Sequence, residues 1–389
     1  MNRARPFPLA VTGRTDATPH GPYREPVPSP SPSPVLVVDA LGVRIGIDLG
    51  DLDDADRIAV RAAWTGALAH GDAEPHATVT PTASLGPGPM LAALSSAVTL
   101  SAIHERRGQL WMLHAAGVAG HDGAVVVLVG PSGAGKTTAI RLLATRAGYV
   151  SDETIALDAT GAVLPYRKPL SVITDGVAHK VQHSPVDLGL GALPTAPLRL
   201  ARIVLLDRRT EPTPARLLPV PISEAIAELA GQSSALAQLP GAVRTMAGLI
   251  GQTGGVVRAE YAEAKDLATL VRGLLDAGAP AAVPSVVSPA ATRRAPMDTA
   301  GPHYERTEAV DWSPLPDGTL AVLTANADGS GMLRVLAGVA PTLWEAADGV
   351  PRDALVAEVD ARFDCPDPGG VTDTALASLV EAGLLRVAD

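Results

Sequence analysis

The sequence predicts a large α/β domain followed by a small α+β domain near the C-terminal end. The first observation is the apolar run over residues 125–129, which is typical of a strand buried on both faces. A glycine-rich turn follows this strand, and a helical segment then extends from residue 136 to about residue 147. The second observation lies beyond residue 303, where two strand patterns precede three short helical patterns. The intervening residues 277–302 are rich in Pro and Ala, which predicts an interdomain linker.

Composition narrows the class of protein. The chain has 389 residues and a net charge of −10, and an acidic balance of this kind disfavours binding to nucleic acid. No apolar run approaches the roughly 18 residues of a membrane helix, and the N-terminal segment has no signal-peptide pattern. Cys365 is the only cysteine, so a disulfide within the chain is excluded. We therefore expect a cytoplasmic protein without a membrane partner.

The N-terminal part divides into a tail and a subdomain. Residues 1–34 are rich in Pro and Ser and are predicted to be disordered. Apolar residues alternate with polar ones over residues 43–49, which predicts a half-buried strand in an N-terminal subdomain over residues 35–110. An acidic cluster follows that lacks the spacing of a calcium loop, so a solvated helix start is the better interpretation. Its members are Asp51, Asp53, Asp54 and Asp56.

Residues 90–107 read as a helix and residues 110–120 as a strand that turns back at residues 121–123. This hairpin leads directly into the apolar strand before the glycine-rich turn. It brings His114 toward that strand. The alternative for His114 is a core histidine whose hydrogen bonds are all made within the protein.

The glycine-rich turn has the pattern Gly130-x-x-x-x-Gly135-Lys136-Thr137 of a phosphate-binding P-loop. Its glycines let backbone N–H groups converge on phosphate oxygens, and the new helix directs its positive dipole end at the same anion. Lys136 would reach the terminal phosphates, and the Thr137 hydroxyl would bind Mg²⁺. The predicted nucleotide-binding residues are Gly130, Ser132, Gly133, Ala134, Gly135, Lys136, Thr137 and Thr138.

The P-loop alone fits an NTPase, a kinase or a transporter ATPase, so the acidic residues must decide between them. Asp152 and Glu153 follow a short strand that we expect to lie next to the P-loop strand. Asp207 ends the buried strand 201–207 in the manner of a Walker B carboxylate. Both candidates have a non-functional alternative. Asp152 and Glu153 could form a surface turn, and Asp207 could be an ordinary polar strand end. Residues 222–229 and 266–275 read as helices.

The segments LHAAGVAG, GPSGAGKTT and YVSDETIAL resemble those of the HPr serine kinase/phosphorylase superfamily and its related proteins. The resemblance covers about residues 35–275 and implies an α/β P-loop kinase domain of HPr-kinase type. It implies that Asp152 is the base that deprotonates the acceptor hydroxyl, and that Glu153 and Thr137 hold Mg²⁺. It also implies that His114 lies close to the phosphates or the acidic pair.

The segment PYRKPLSV is similar to the same family, and its Arg167 and Lys168 would offer positive charge to a phosphate or an acidic acceptor. A solvated loop is the alternative for both. Two departures stand out, because the family's usual second Asp is Glu153 here and its downstream glycine-rich signature has no clear copy. HPr itself and the reverse phosphorylase reaction are therefore not expected.

The C-terminal residues resemble PqqD-like peptide-binding domains, which recognise leader peptides in ribosomal natural-product pathways. The resemblance rests on a hairpin through residues 326–329, then PTLWEAADGVPRDALVAEVDARF and TALASLVEAGLL, and it implies a small α+β winged-helix-like domain over residues 303–389. Such domains bind a peptide as an added strand. Trp344 is expected in the core rather than on the peptide.

Together the two resemblances imply an ATP- and Mg²⁺-dependent kinase that phosphorylates a Ser or Thr of a precursor peptide captured by its leader. A nucleotide-gated peptide adaptor without catalysis and a small-molecule kinase are the alternatives. HPr kinases form ring-like hexamers, so a homo-oligomer stays open.

Overall fold

A computed structural model describes residues 35–71, 74–172, 181–278 and 302–388. The strands are β1 (Val35–Ala40), β2 (Val43–Asp48), β3 (Ala77–Val79), β4 (Trp111–Ala119), β5 (Ala124–Val129), β6 (Gly148–Ser151), β7 (Thr154–Leu157), β8 (Val163–Leu164), β9 (Leu170–Val172), β10 (Val181–His183), β11 (Arg199–Arg208), β12 (Arg216–Val220), β13 (Ser233–Ser234), β14 (Val256–Tyr261), β15 (His303–Arg306), β16 (Asp311–Pro314), β17 (Leu320–Ala325), β18 (Gly331–Leu336), β19 (Asp348–Pro351) and β20 (Leu385–Ala388). The α-helices are α1 (Asp54–Ala63), α2 (Pro87–Glu105), α3 (Lys136–Leu143), α4 (Ile222–Gly231), α5 (Ala242–Gln252), α6 (Ala264–Ala277), α7 (Ala340–Ala346), α8 (Arg352–Arg362) and α9 (Pro368–Glu381). The tail over residues 1–34 and most of the linker over residues 277–302 lie outside the described residues. None of the helices in the described part is long and apolar enough to cross a membrane.

A mixed sheet in the order β12-β14-β11-β5-β4-β7-β8 forms the centre of the larger domain. β14, β11 and β5 are parallel, whereas β4 runs antiparallel to β5 and also pairs with β6 and β7. Every residue of β5 is buried, as its apolar run predicts. Because parallel strands end at the same edge of a sheet, the loops after β5, β11 and β14 meet there.

Helices cover both faces of this sheet. On one face, Ile140 of α3 and Leu267 of α6 belong to a buried apolar cluster with residues of β5 and β11. On the other face, Ile226 of α4 and Met246 of α5 belong to a second cluster. The sheet is therefore enclosed on both sides, which explains why β5 has no polar residue.

The N-terminal residues form a small sheet in the order β1-β2-β3 with α1 and α2 packed against it. Trp64 and Met90 are fully buried in their shared core. The acidic cluster before α1 is a helix start, as predicted, because the side chain of Asp53 accepts the N–H of Asp56 at 2.8 Å. This carboxylate satisfies one of the backbone donors that a helix leaves unpaired at its beginning.

The C-terminal residues form two three-stranded sheets, β19-β15-β20 and β16-β17-β18, together with α7, α8 and α9. The hairpin and the three helices lie where the sequence predicts them. Trp344 is 1% exposed in an apolar cluster with Leu343 and Leu355, which confirms its expected core position.

The sheet β16-β17-β18 packs directly on α4 and α5 of the larger domain. Leu315, Ala321 and Leu323 belong to the same buried cluster as Met246 of α5. The side chain of Asp311, at the start of β16, completes this contact by capping α5.

The cap consists of one carboxylate oxygen and two backbone donors. Asp311 Oδ2 accepts the N–H of Val243 at 2.8 Å and that of Arg244 at 3.3 Å, and these are early positions of α5. Asp317 accepts the N–H of Ser223 in α4 at 3.3 Å in the same way. Both helices thus donate N–H groups of their first turn to carboxylates of the C-terminal residues.

Two expectations about the core of the fold are wrong. The strand before Asp152 and Glu153 does not lie next to β5, because β4 stands between β5 and β6 and pairs with both. α3 ends at Leu143 rather than near residue 147. The carbonyl of Ala144 accepts the N–H of Gly191 at 2.6 Å, so it bonds outside the helix. The sequence reasoning also missed α5 and β14.

Candidate phosphate-binding site

The loop between β5 and α3 has the geometry of a P-loop. Gly133 and Gly135 have φ angles of +87° and +91°, which residues with a Cβ rarely adopt. A Cβ on Gly130 would lie 3.0 Å from the Cβ of Leu206, so a glycine is also needed where the loop passes β11. α3 begins at Lys136, so its unpaired N–H groups and its positive dipole end face this loop.

Tyr261, the last residue of β14, contacts the P-loop. Its hydroxyl donates a hydrogen bond to the carbonyl of Ala134. Burial raises the pKa of Tyr261 to about 12, so the hydroxyl keeps its proton and remains a donor near neutral pH. The sequence reasoning missed this residue together with its strand.

Lys136 lies over the loop rather than in solvent. Its side-chain ammonium donates to the carbonyl of Gly130 at 2.5 Å and to that of Pro131 at 3.2 Å, and the residue is 7% exposed. The ammonium therefore lies at the loop itself, where a bound phosphate would meet it.

Asp152 is brought to the P-loop although its strand is not adjacent to β5. Its Oδ2 accepts the Thr137 hydroxyl at 3.3 Å, and its Oδ1 accepts the Tyr149 hydroxyl at 3.1 Å. The side chain is 3% exposed. Burial, followed by the charge of Asp152, raises the pKa of Tyr149, so that hydroxyl stays protonated and donates.

Lys168 forms ion pairs with both members of the acidic pair. Its ammonium lies 2.6 Å from Glu153 Oε2 and 3.7 Å from Asp152 Oδ1. The side chain is 1% exposed, so the interpretation of a solvated loop is wrong for this residue. Burial favours the neutral amine, but the two carboxylates outweigh burial and raise the pKa of Lys168. Arg167 points elsewhere and stacks over the ring of Tyr149 at 5.9 Å.

His114, in β4, lines the same cavity as Lys136 and the acidic pair. Burial, followed by the charge of Lys136, lowers its pKa, and the carboxylates of Glu153 and Asp152 offset only part of this effect. The imidazole is therefore neutral near pH 7 and can accept a proton.

A cavity of about 350 Å³, which we call the phosphate cavity, joins these groups. It brings together nearly all of the residues predicted from the sequence. It also contains Arg141 and Arg208, which the sequence reasoning missed. Arg141 could have been found from its position four residues after Thr137, because that spacing puts both on one face of α3.

Asp207 lies outside the phosphate cavity. It ends β11, the parallel neighbour of β5, but its carboxylate pairs with Arg209 at 2.6 Å. Asp207 and Arg209 line a larger cavity on the other side of the loop. The structure thus separates the two carboxylate candidates, and Asp152 is the one in contact with Thr137.

The donor set at Thr137 fits Mg²⁺. Two neighbouring ligands of an octahedral Mg²⁺ site lie about 3 Å apart, because each bond is about 2.0–2.1 Å long. The 3.3 Å between Thr137 Oγ1 and Asp152 Oδ2 is close to that spacing. Among the described residues there is no group of three or more His, Cys, Asp or Glu side chains placed to bind a metal. Mg²⁺ needs no such cage, since it commonly keeps waters and shares substrate phosphates.

Comparisons with known proteins add little to this geometry. A scan against protein-family models finds no match. A search of curated proteins finds no match either. Among solved structures, the chain is similar to the HPr(Ser) kinase/phosphatase from Coxiella burnetii, with a TM-score of 0.24 and 15% identity over 43% of this chain and 94% of that one. At this TM-score the similarity supports no assignment, so the conclusions below depend on the site itself.

Proposed function

We propose that this protein is a phosphotransferase that moves the γ-phosphoryl group of a nucleoside triphosphate, with Mg²⁺, to a hydroxyl group. One observation carries the proposal, namely the buried Asp152 carboxylate in hydrogen-bond contact with the Thr137 hydroxyl at the start of the P-loop helix. A loop that merely bound phosphate would not need a buried carboxylate beside it, because that charge repels the ligand. A bound Mg²⁺ would neutralise the phosphate charge that builds up during transfer.

The side chains around the cavity have distinct tasks in this reaction. Lys136 and the N–H groups at the start of α3 hold the phosphates and stabilise their negative charge. Lys168 holds the acidic pair in place, since its ammonium lies within 4 Å of both carboxylates. His114, neutral near pH 7, is available to take or share the proton of the acceptor hydroxyl.

The two carboxylates can be assigned in two ways. The family resemblance implies that Asp152 is the base and that Glu153 binds the metal. The distance between Thr137 and Asp152 favours the reverse, with Asp152 beside the metal and Glu153 toward the acceptor. Glu153 is also 39% exposed, whereas Asp152 is 3% exposed, and an acceptor must enter from the exposed side. We propose the reverse assignment.

Two isosteric variants separate these assignments. Asp152→Asn should lower the affinity for Mg²⁺ in a titration of MgATP binding. Glu153→Gln should instead lower kcat and leave the Mg²⁺ affinity nearly unchanged. The opposite pattern would restore Asp152 as the base. Full activity in both variants would refute a catalytic role for the pair.

We propose further that the acceptor is a Ser or Thr of a ribosomally made peptide whose leader binds the C-terminal residues. β18 supports this proposal, because among the described strands it pairs with β17 alone and its first two residues are exposed. Such a strand can accept a peptide as an added strand. Tethering the peptide would raise its effective concentration at the phosphate cavity to roughly millimolar.

The test uses ATP with a labelled γ-phosphate, Mg²⁺ and the short peptides encoded beside the gene. Label on a peptide that is lost in Lys136→Ala and kept in Lys265→Ala would support a peptide kinase. Lys265 is a matched control because it is an exposed lysine at the start of α6. Peptide binding without label transfer would favour a nucleotide-gated adaptor. Label on a small molecule alone would favour a small-molecule kinase.

A further inference from the structure

A second cavity of about 1090 Å³ lies on the other side of the P-loop, and we call it the outer cavity. It shares the loop residues 131–133 with the phosphate cavity. The rest of its wall comes from the end of β11, the loop 209–214 and the first turn of α6. Apart from the P-loop residues and Asp207, the sequence motifs predict no role for the residues that line it.

We infer that the outer cavity binds the nucleoside part of the ligand whose phosphates lie on the P-loop, an inference that depends on the proposed nucleotide substrate. Space is the first argument. The phosphate cavity has about 350 Å³, near the lower end of the roughly 300–1,000 Å³ typical of ligand pockets. A triphosphate and an acceptor hydroxyl occupy much of that volume, so the nucleoside has to extend over the loop residues 131–133 into the neighbouring space.

The lining of the outer cavity has the chemistry that a nucleoside needs. Pro212 and Pro214 offer apolar surface for the faces of a base. Glu263 and Asp266 offer carboxylate oxygens that accept hydrogen bonds, and ribose hydroxyls are donors of the right kind. Arg209 also lines the cavity, but its guanidinium is already paired with Asp207 and Glu260, so Glu263 and Asp266 would still repel a further phosphate. The cavity therefore favours the uncharged end of a nucleotide.

Arg208 connects the two cavities. It lines both of them, and its Nε donates to the carbonyl of Ala262 at 3.3 Å. This bond holds the guanidinium between the ends of β11 and β14. A phosphate next to the ribose would pass this cation on its way from one cavity to the other.

The inference is tested by filling the outer cavity and measuring the binding of two ligands to the full chain with Mg²⁺. Thr213→Trp adds bulk to the wall of the cavity, and Glu211→Trp is the matched control in the same loop but outside the lining. We expect Thr213→Trp to lower the affinity for ATP about tenfold, equal to about 1.4 kcal/mol. Tripolyphosphate should bind with the same affinity as to the unsubstituted protein. Glu211→Trp should leave both affinities unchanged.

If Thr213→Trp lowered the affinities for ATP and tripolyphosphate equally, or lowered neither, the inference would be overturned. A second measurement needs no variant. An 8-azido derivative of ATP should crosslink to residues 206–214 or 262–266, whereas labelling confined to Ser171 and Val172 of the phosphate cavity would also overturn it. If ATP crosslinks as expected but no phosphoryl group is transferred, the nucleoside site stands and the proposed transferase fails. If neither ATP nor tripolyphosphate binds, both proposals fail.

Discussion

Replacing Asp311 by Ala should destabilise the larger domain, although Asp311 belongs to the C-terminal residues. Its carboxylate caps α5, and the N–H of Val243 would lose its acceptor inside the protein. Loss of an N-cap costs about 0.5–2 kcal/mol, and an unsatisfied buried donor costs about 1–3 kcal/mol. Because both figures describe the loss of the same acceptor, they are not summed. We expect a decrease of about 2 kcal/mol in the free energy of unfolding.

The ion pair with Arg244 changes this value little. The Arg244 guanidinium lies 3.2 Å from Asp311 Oδ1 and is 44% exposed, and pairs of this kind contribute about 0–1 kcal/mol. Urea unfolding followed by tryptophan fluorescence would measure the change. Asp311→Asn should recover much of the loss, because Asn is also a good N-cap residue.

Asp317→Ala is the matched control for Asp311→Ala. It removes a carboxylate that bonds the start of α4 across the same interface, but Asp317 is exposed to water. Its replacement should cost only about 0.5 kcal/mol, the low end of the range for a lost N-cap, because water can replace the carboxylate as acceptor for the N–H of Ser223. Equal effects of the two substitutions would refute the reasoning, because burial of the cap would then not matter.

Three further predictions concern the site. Lys168→Met should lower the free energy of unfolding by about 3–5 kcal/mol, because the buried Asp152 loses its counter-ion. Urea unfolding at pH 7.5 would measure the decrease, with Arg167→Met, which removes the cation stacked over Tyr149, as the control, and equal decreases in the two variants would contradict the reasoning. Burial and then Lys136 lower the pKa of His114, so the unfolded chain binds its proton more readily and stability should fall as the pH drops below about 6.5. His114→Gln should therefore reduce the decrease in the urea midpoint between pH 7.5 and pH 5.5. An unchanged decrease would contradict the lowered pKa of His114. Tyr261→Phe should weaken MgATP binding a few-fold, consistent with about 0.5–1.5 kcal/mol for one hydrogen bond, and unchanged affinity in a binding titration would mean that the bond does not position the loop.

The sequence predicted the centre of the site because its signals are local. The apolar run of β5, the glycines and the start of α3 follow one another in the chain, and the pattern demands that geometry. Asp152 was also found, since its distance along the chain matches the family pattern. What could not be read was the order of the strands. β4 and β5 are both largely apolar, and hydrophobic periodicity does not reveal which strand lies between two others.

The missed elements have weak or misleading local signals. α5 contains Gly248 and Gly251, which lower helix propensity, and its stability depends on packing and on the distant Asp311. β14 has Arg258 and Glu260 within its six residues, so it lacks the continuous apolar run that identifies β5. For Lys168 a solvated loop stayed open as the alternative because lysine is usually exposed, and only the position of the acidic pair reveals why it is buried.

The cap on α5 also affects how the chain is made. Asp311 is synthesised 69 residues after Ala242, the first residue of α5. At about 5–20 residues per second, the ribosome needs on the order of 10 s to supply it. During that interval α5 lacks its cap, and the apolar cluster that contains Met246 lacks Leu315 and Leu323. The nascent chain therefore passes through a stage that is prone to aggregation, and a gene that ends before Asp311 would fix the protein in that stage.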